Sequence, residues 1–449
     1  MNRLTEEQVL ELAPDAASLK SGKDLANPKK WLNFSYNERV LWGEMQGSGK
    51  DPYRTQIDLL STAFKCSCPS RKFPCKHGLG LLLVFAKDAS VVSKGNEEPA
   101  WVKEWMDKRQ TKAETATAPK IEELDEKTIA KREKDKEKRD NDRLALVQAG
   151  AAELERLLKD LLRAGFISLP EKGTAFFTKT AARMVDAKAT GLANQAKDFT
   201  KINFYSGTDW HSQVLEQAAE TYLILEAFKN IAEQPPSVQE DIRSLVGWSL
   251  KKSELLEQPN LDEVTDKWLV LGRSSEQEDD LIIQKHWLLG TETGRYALIL
   301  DFAHKSAPLQ TMLVTGTFIH ASLVFYPSNM PFRAVIKTQG AQVTGMTLTA
   351  KPLEHWAAMQ AGFVEKLSLF PWADELPFFV RQLTIVTHQD AWFLRDSEGY
   401  LMPINPKLNF ERILHLLART GGKPTDMCVL TMRDTVFPLG IMLNNIYKT

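Results

Sequence analysis

Cysteine is scarce in this sequence. Only four of the 449 residues are cysteine, too few for the disulfide framework of a small secreted protein. The opening stretch MNRLTEEQVLELAPD lacks the apolar segment of a secretory signal peptide, and Thr5 and Gln8 have the spacing of a helix capping box instead. We therefore expect a reducing compartment, the cytoplasm.

Two further absences narrow the class of protein. Lysine and arginine total 57 against 58 acidic residues, a formal net charge of −1, so the chain lacks the overall basic excess of many nucleic-acid-binding proteins. The apolar run LGLLLVFA near the cysteines is far shorter than the ~20 residues that a membrane-spanning helix needs. We expect a soluble protein that does not enter a membrane and has roughly two to four domains.

Familiar catalytic motifs are also missing. The segment GSGKD at 47–51 departs from a phosphate-binding loop, because Glu44 replaces its first glycine and Asp51 its final serine or threonine. The motifs G-x-S-x-G and H-E-x-x-H do not occur. We predict that the protein is not an enzyme. The alternative is an unrecognised active site in the C-terminal region, where Asp301 or Asp396 would meet a histidine of perturbed pKa in a cleft.

Three of the four cysteines lie together in the segment CSCPSRKFPCKH, residues 66–77. Residues i and i+2 of an extended strand face the same side, so Cys66 and Cys68 can bind one ion, and Cys75 and His77 can complete a tetrahedron. The spacing predicts one structural Zn²⁺ with no coordination position left for water. The alternative, reduced bystander cysteines or one disulfide and a spare thiol, is disfavoured by the clustering.

The flanking residues predict the local fold. Upstream of the cysteines, the segment YRTQIDL at 53–59 alternates apolar and polar residues as a strand does, and GLGLLLVFAK after His77 has helical spacing. This hairpin, metal loop and helix closely resemble the SWIM zinc finger, and none of its four ligand positions is substituted. The resemblance implies the zinc ligands Cys66, Cys68, Cys75 and His77.

Longer phrases resemble the stand-alone bacterial SWIM proteins. They are LWGEMQGSGKDPY, PSRKFPCKHGLGLLL, TAARMVDAKATGLA, HWLLGTETGRYALILDF and AWFLRDSEGYLMPI. Those proteins are associated with MoxR-type AAA+ ATPases and with von Willebrand A domain proteins. The association rests on gene neighbourhood and not on chemistry. The resemblance therefore implies an adaptor role in such an ATPase system.

Basic residues surround the predicted ligands. No acidic residue lies between Cys66 and His77, and the loop carries or adjoins Lys65, Arg71, Lys72 and Lys76. Three thiolates and one Zn²⁺ carry a charge of about −1, so part of this basicity balances the site. We predict that the loop contacts an acidic protein partner or a nucleic acid. In the second case Phe73 could stack on a base, and otherwise it fills a small core under the loop.

Composition divides the chain into four regions. Residues 1–106 contain the finger, whose core is at about 53–87, and residues 107–143 contain the charged run KREKDKEKRD, which predicts a linker, either an exposed helix or a flexible tether. Residues 144–262 have helical patterns, and residues 263–449 alternate short β-prone runs with two helices. The predicted fold class is multidomain α+β: a small ββα zinc finger, a charged linker, a helical region and a β-rich α+β C-terminal region.

Two expectations concern packing. A leucine stripe favours a core-facing helix over a dimer seam, in the positions Leu154, Leu157, Leu158, Leu161 and Leu162. Cys428, far from the other cysteines, is expected in the core.

Since a short finger has little core of its own, we expect Cys66→Ser to release zinc and to disorder residues near 60–86 while the C-terminal domains stay folded.

Overall fold

The architecture is described from a computed structural model. It describes residues 4–47, 49–70, 72–95, 97–117, 126–205, 209–278, 281–304, 312–432 and 434–448. The chain forms two compact units: a mixed unit of residues 1–117, 260–326 and 330–449, and a helical unit of residues 118–259 and 327–329. The boundaries drawn from composition at 106, 143 and 262 stay predictions.

The N-terminal part of the mixed unit is a small sheet with helices. In chain order its elements are α1 (Glu6–Glu11), α2 (Ala16–Leu25), β1 (Asn33–Tyr36), β2 (Val40–Met45), β3 (Tyr53–Asp58), β4 (Ala63–Cys66), α3 (Lys76–Lys87), β5 (Ser93–Lys94) and α4 (Ala100–Thr117). The strand order is β4-β3-β2-β1-β5. The predicted capping box is present at α1, where the amides of Thr5 and Gln8 each donate to the other's side chain.

The predicted hairpin and helix of the finger are confirmed. β2 and β3 pair in antiparallel fashion with Leu41 opposite Ile57, and both side chains are buried against α3 in one apolar cluster. Nearly every apolar side chain of α3 is buried, which explains why the run GLGLLLVF is so uniformly hydrophobic. The structure adds the short strand β4, which pairs with β3 and ends at the first ligand.

The first helix of the helical unit contains the charged run. Its helices are α5 (Glu126–Ala164), α6 (Leu169–Asp186), α7 (Thr190–Asp198), α8 (Trp210–Lys229), α9 (Pro236–Val246) and α10 (Lys252–Leu256). Residues 126–143 of the predicted linker are therefore helical, whereas residues 118–125 lie outside the described residues. Leu154, Leu158 and Leu161 are buried in the unit, and Leu162 is half exposed, so most of the leucine stripe faces the core.

A closed five-stranded barrel follows in the mixed unit. Its strands are β6 (Asp262–Glu278), β7 (Leu281–Gly290), β8 (Tyr296–His304), β9 (Phe318–Phe325) and β10 (Arg333–Val343), in the order β10-β8-β7-β6-β9. β8 and β10 pair in parallel, and the other neighbours are antiparallel. One buried cluster lies between the strands and includes Trp268, Leu288, Ile319 and Phe325.

A six-stranded sheet completes the mixed unit. The remaining elements are α11 (Trp356–Leu369), β11 (Pro377–His388), β12 (Ala391–Arg395), β13 (Leu401–Pro403), α12 (Phe410–Thr420), β14 (Thr425–Met432), β15 (Thr435–Leu443) and β16 (Ile446–Lys448). The strand order is β13-β12-β11-β14-β15-β16. Cys428 is fully buried in a cluster shared with Trp287 and Leu289 of the barrel. The predicted fold class is confirmed.

The N-terminal sheet and the barrel share a core. Met312 and Val314, which precede β9, belong to the same apolar cluster as Leu41 of β2 and Leu79 of α3. Nearby, the buried Gln342 of β10 forms four hydrogen bonds. Its Nε2 donates to Thr62 Oγ1 at 2.6 Å and to the Met312 carbonyl at 3.0 Å, and its Oε1 accepts from the Val314 amide at 2.7 Å and the Thr317 hydroxyl at 3.0 Å. Because Thr62 lies between β3 and β4, this network fixes the finger to the barrel.

Not one helix in the described part of the chain combines the length and the apolar character that crossing a lipid bilayer requires.

Candidate metal centre

Four potential metal ligands converge where β4 ends and α3 begins. The ligand atoms of Cys66, Cys68, Cys75 and His77 all lie within 4.8 Å of one another. Zinc bonds of about 2.3 Å to sulfur and 2.0 Å to nitrogen place neighbouring ligand atoms about 3.5–3.8 Å apart in a tetrahedron. The distance between Cys66 Sγ and His77 Nδ1 is 3.8 Å. The four side chains are therefore positioned to bind one zinc ion, as predicted.

Local structure explains how the second pair is held. Cys75 is the N-cap of α3, and the Gly78 amide donates to its sulfur at 3.5 Å. The free amides and the positive end of the helix dipole favour a thiolate at this position. Cys75 and His77 are buried, whereas Cys66 and Cys68 are half-buried. The site is thus open to solvent mainly at the first pair.

Two further side chains contact the ligands. The hydroxyl of Thr55 lies 3.2 Å from Cys66 Sγ, and the ring of Tyr53 lies 5.1 Å from the ring of His77, centroid to centroid. Sequence analysis places both residues on a strand but does not connect them to the ligands. That connection requires the pairing of β3 with β4, a strand too short to have a recognisable pattern.

The ligand side chains shift one another's protonation. Hydrogen bonds from Cys66 and Cys75 lower the pKa of Cys68, while the same cluster, through Cys66 and then Cys68, raises the pKa of Cys75. Burial disfavours the charged imidazole of His77, but hydrogen bonds to Cys66 and Cys68 outweigh it and raise the pKa of His77 to about 9. The metal-free cluster therefore retains protons at neutral pH, and zinc binding must release them.

The structure brings three of the four predicted contact residues around the metal loop. Lys65 is exposed on β4. The pKa of Glu104 is lowered mainly by its hydrogen bond from Lys108 and, to a smaller extent, by the charge of Lys65. Lys76 is exposed on the first turn of α3 and forms no ion pair among the described residues. Arg71 lies outside the described residues.

Lys72 already has an intramolecular partner. Its Nζ lies 2.9 Å from the carboxylate of Asp15, the N-cap residue of α2. The hydrogen bond from Lys72, followed by that from the Ser18 amide, lowers the pKa of Asp15 to about 2. Next to it, Phe73 is half-buried and packs edge-on against Phe64, at 6.0 Å between centroids. Of the two roles predicted for Phe73, this contact supports the filling of a small core under the loop.

Asp396, one of the two carboxylates proposed for a C-terminal active site, has other contacts. Asp396 is 5% exposed and accepts the amides of Trp356, Glu398 and Tyr400 at 2.9–3.1 Å, so it organises the turn between β12 and β13. Among the described histidines, His286 has the most strongly lowered pKa. Burial, followed by the charge of Arg273, lowers that pKa to about 3. His286 is 1% exposed, so it does not face a cleft.

Comparison with known protein families supports the same assignment. Residues 53–85 match the SWIM zinc finger, and residues 142–246 match the SWIM-associated four-helix bundle domain. The first match contains all four ligands, and the second runs from α5 to the end of α9. Neither curated proteins nor solved structures gave a match. The chain thus carries a SWIM zinc finger and, after it, the helical domain that accompanies such fingers.

Proposed function

We propose that the protein is a non-enzymatic interaction protein whose zinc-bound SWIM finger presents a basic loop to an acidic protein partner. The observation that carries this proposal is the position of the loop between the two ligand pairs. One zinc ion fixes both ends of the loop at residues 68 and 75, so the loop needs little core beyond the contact of Phe73 with Phe64. The exposed charges of Lys65 and Lys76 flank it.

Two observations favour a protein partner over a nucleic acid. Single-stranded nucleic-acid sites combine positive charge with aromatic side chains on which bases stack, but Phe73 packs against Phe64. In addition, Lys72 is paired with Asp15, which lowers the charge available to phosphates. An acidic protein surface requires complementary charge but no stacking platform.

The class of partner rests on the resemblance to stand-alone bacterial SWIM proteins. That resemblance makes a MoxR-type AAA+ ATPase, or a von Willebrand A domain protein that works with one, the candidate. In this proposal the protein is an adaptor, and its helical unit and six-stranded sheet are available for other components.

Binding titrations of the full-length zinc-loaded chain test the proposal. We expect saturable binding to the purified ATPase or to the von Willebrand A domain protein, weakened at least tenfold by Lys65→Ala combined with Lys76→Ala. The matched control is Lys407→Ala combined with Lys423→Ala, which removes two exposed charges from the C-terminal region and should leave binding unchanged.

The same titrations with single-stranded DNA, duplex DNA and RNA provide the contrary outcome. Affinity that falls steeply with salt, and that depends on Lys65 and Lys76, would identify a nucleic-acid-binding finger instead. Equal losses in the test and control variants would refute a role for the loop.

A further inference from the structure

Thr55 occupies an unusual position beside the metal centre. In the antiparallel pair of β3 and β4, Thr55 lies directly opposite Cys66. Directly opposed residues project to the same face with their Cβ atoms about 4.5–5.5 Å apart. The Thr55 hydroxyl consequently reaches the Cys66 sulfur at 3.2 Å. Thr55 is 0% exposed, so water does not compete for this contact.

The direction of this hydrogen bond follows from the chemistry of the site. Zinc binds the thiolate form of cysteine, which has no proton to donate. With the ion bound, the hydroxyl of Thr55 must be the donor and the Cys66 sulfur the acceptor. No other partner of this hydroxyl is found in the described parts of the chain.

We propose that Thr55 is a positioning residue of the zinc site, whose hydroxyl orients the Cys66 thiolate and stabilises its charge. Cys66 is half-buried at the open side of the centre, where thiolate charge meets a partly apolar environment. A fixed donor there offsets the loss of hydration and restricts the sulfur to the direction of the ion. This role lies beyond the proposed partner binding and does not depend on it.

The magnitude can be anticipated from comparable sites. Removing a hydrogen-bond partner of a metal ligand typically lowers metal affinity about 10- to 100-fold. A single neutral hydroxyl donor belongs at the lower end of that range. We therefore expect Thr55→Val, which keeps the shape and removes the donor, to weaken zinc binding about tenfold.

Competition of the full-length chain with a chromogenic chelator measures this effect. Thr55→Ser, which keeps the hydroxyl, should bind zinc almost as tightly as the wild type. The matched control is Thr180→Val in α6, which also removes a buried hydroxyl with a hydrogen bond, at 3.0 Å to the Phe176 carbonyl. Its zinc affinity should not change.

Cobalt substitution separates a positioning role from simple packing. Loss of a donor to a coordinated sulfur makes the thiolate a better electron donor, so the charge-transfer band of the Co²⁺-loaded Thr55→Val protein should move to longer wavelength. Loss of packing alone would leave the band in place. In the ¹¹³Cd²⁺-loaded wild type, the Thr55 hydroxyl proton should exchange slowly and show coupling to the metal through Cys66, a test that needs no variant.

Several results would overturn the proposal. One is wild-type zinc affinity in Thr55→Val. Another is an equal loss in Thr55→Val and Thr55→Ser, which would show that the effect does not depend on the hydroxyl, because serine retains it. An equal loss in Thr180→Val would show general destabilisation. A rapidly exchanging hydroxyl without coupling to cadmium would contradict the hydrogen bond directly.

Discussion

Replacing Gln342 by leucine should destabilise the finger and the barrel together. Leucine fills a similar volume but makes none of the four hydrogen bonds that join Thr62, Met312, Val314 and Thr317. Because the network connects the turn between β3 and β4 with the chain entering β9, its loss acts on both sides. The mixed unit is the part of the protein that should respond.

The expected magnitude comes from the groups left without a partner. The Thr317 hydroxyl keeps its bond to the Val314 carbonyl at 2.7 Å. The Val314 amide, the Met312 carbonyl and the Thr62 hydroxyl lose the Gln342 side chain, and all three residues are buried. A buried polar group that loses its partner costs about 1–3 kcal/mol. The free energy of unfolding of the mixed unit should therefore fall by about 3–9 kcal/mol.

Denaturant unfolding combined with amide hydrogen exchange measures the effect segment by segment. Protection should fall in β3 and β4 and, equally, in β9 and β10, while α5 to α9 keep theirs. The matched control is Gln339→Leu on the same strand, whose Nε2 is buried without a partner in the described residues, so removing it should cost little. The reasoning is refuted if Gln342→Leu unfolds at the wild-type denaturant concentration, or if the finger loosens while the barrel does not.

Three other predictions follow from contacts in the mixed unit. Chelating the zinc should reduce amide exchange protection in the barrel as well as in residues 60–86, because the finger and the barrel share a core. This effect is wider than the sequence suggests. Wild-type protection of β6 to β10 after chelation would contradict this prediction. Lys72→Ala should raise the pKa of Asp15 from about 2 toward the ordinary 3.8, as measured by carboxyl NMR. The lowered pKa of Asp15 stabilises the fold above about pH 4, and this contribution disappears as the pH falls through about 2. Lys72→Ala should therefore lose stability mainly above about pH 4. The control Lys87→Ala, which breaks the pair with Glu6, should leave the pKa of Asp15 unchanged. Gly80→Ala should lower the unfolding midpoint, because a Cβ there would lie 2.6 Å from Leu25 Cβ and overpacking costs about 1–3 kcal/mol, whereas Gly362→Ala in α11, with its nearest neighbour at 3.5 Å, should raise it through better helix propensity.

The metal centre was predictable because its information is local. Twelve consecutive residues contain all four ligands, and the strand and helix on either side have clear periodicity. The same locality explains what was missed. β4 spans only Ala63–Cys66, so it gives no alternation to recognise, and the contact between Thr55 and Cys66 depends on its register.

The C-terminal strands show a different obstacle. β15 contains Pro438 and Gly440, both of which weaken the pattern of an inner strand. The pairing of β14 with β15 is irregular between Cys428 and Val429, where Pro438 faces Val429, and this irregularity accommodates the proline. Such a compensation is visible only once the neighbouring strand is known.

The association of residues 1–117 with residues 260–326 and 330–449 had no signal in the sequence. Composition changes sharply near residue 107, and nothing in that change indicates that the first region packs with a later one. Packing between segments so far apart in the sequence does not alter the spacing of apolar residues in either segment. That spacing is already explained by the helices and strands of each segment alone.

The interrupted course of the mixed unit has a consequence for biosynthesis. A ribosome adding about 5–20 residues per second needs roughly 7–30 seconds to translate the interval 118–259. Throughout that delay the nascent N-terminal segment carries apolar side chains whose eventual neighbours do not yet exist. Early capture of the metal would keep this waiting segment compact and away from aggregation until the barrel emerges.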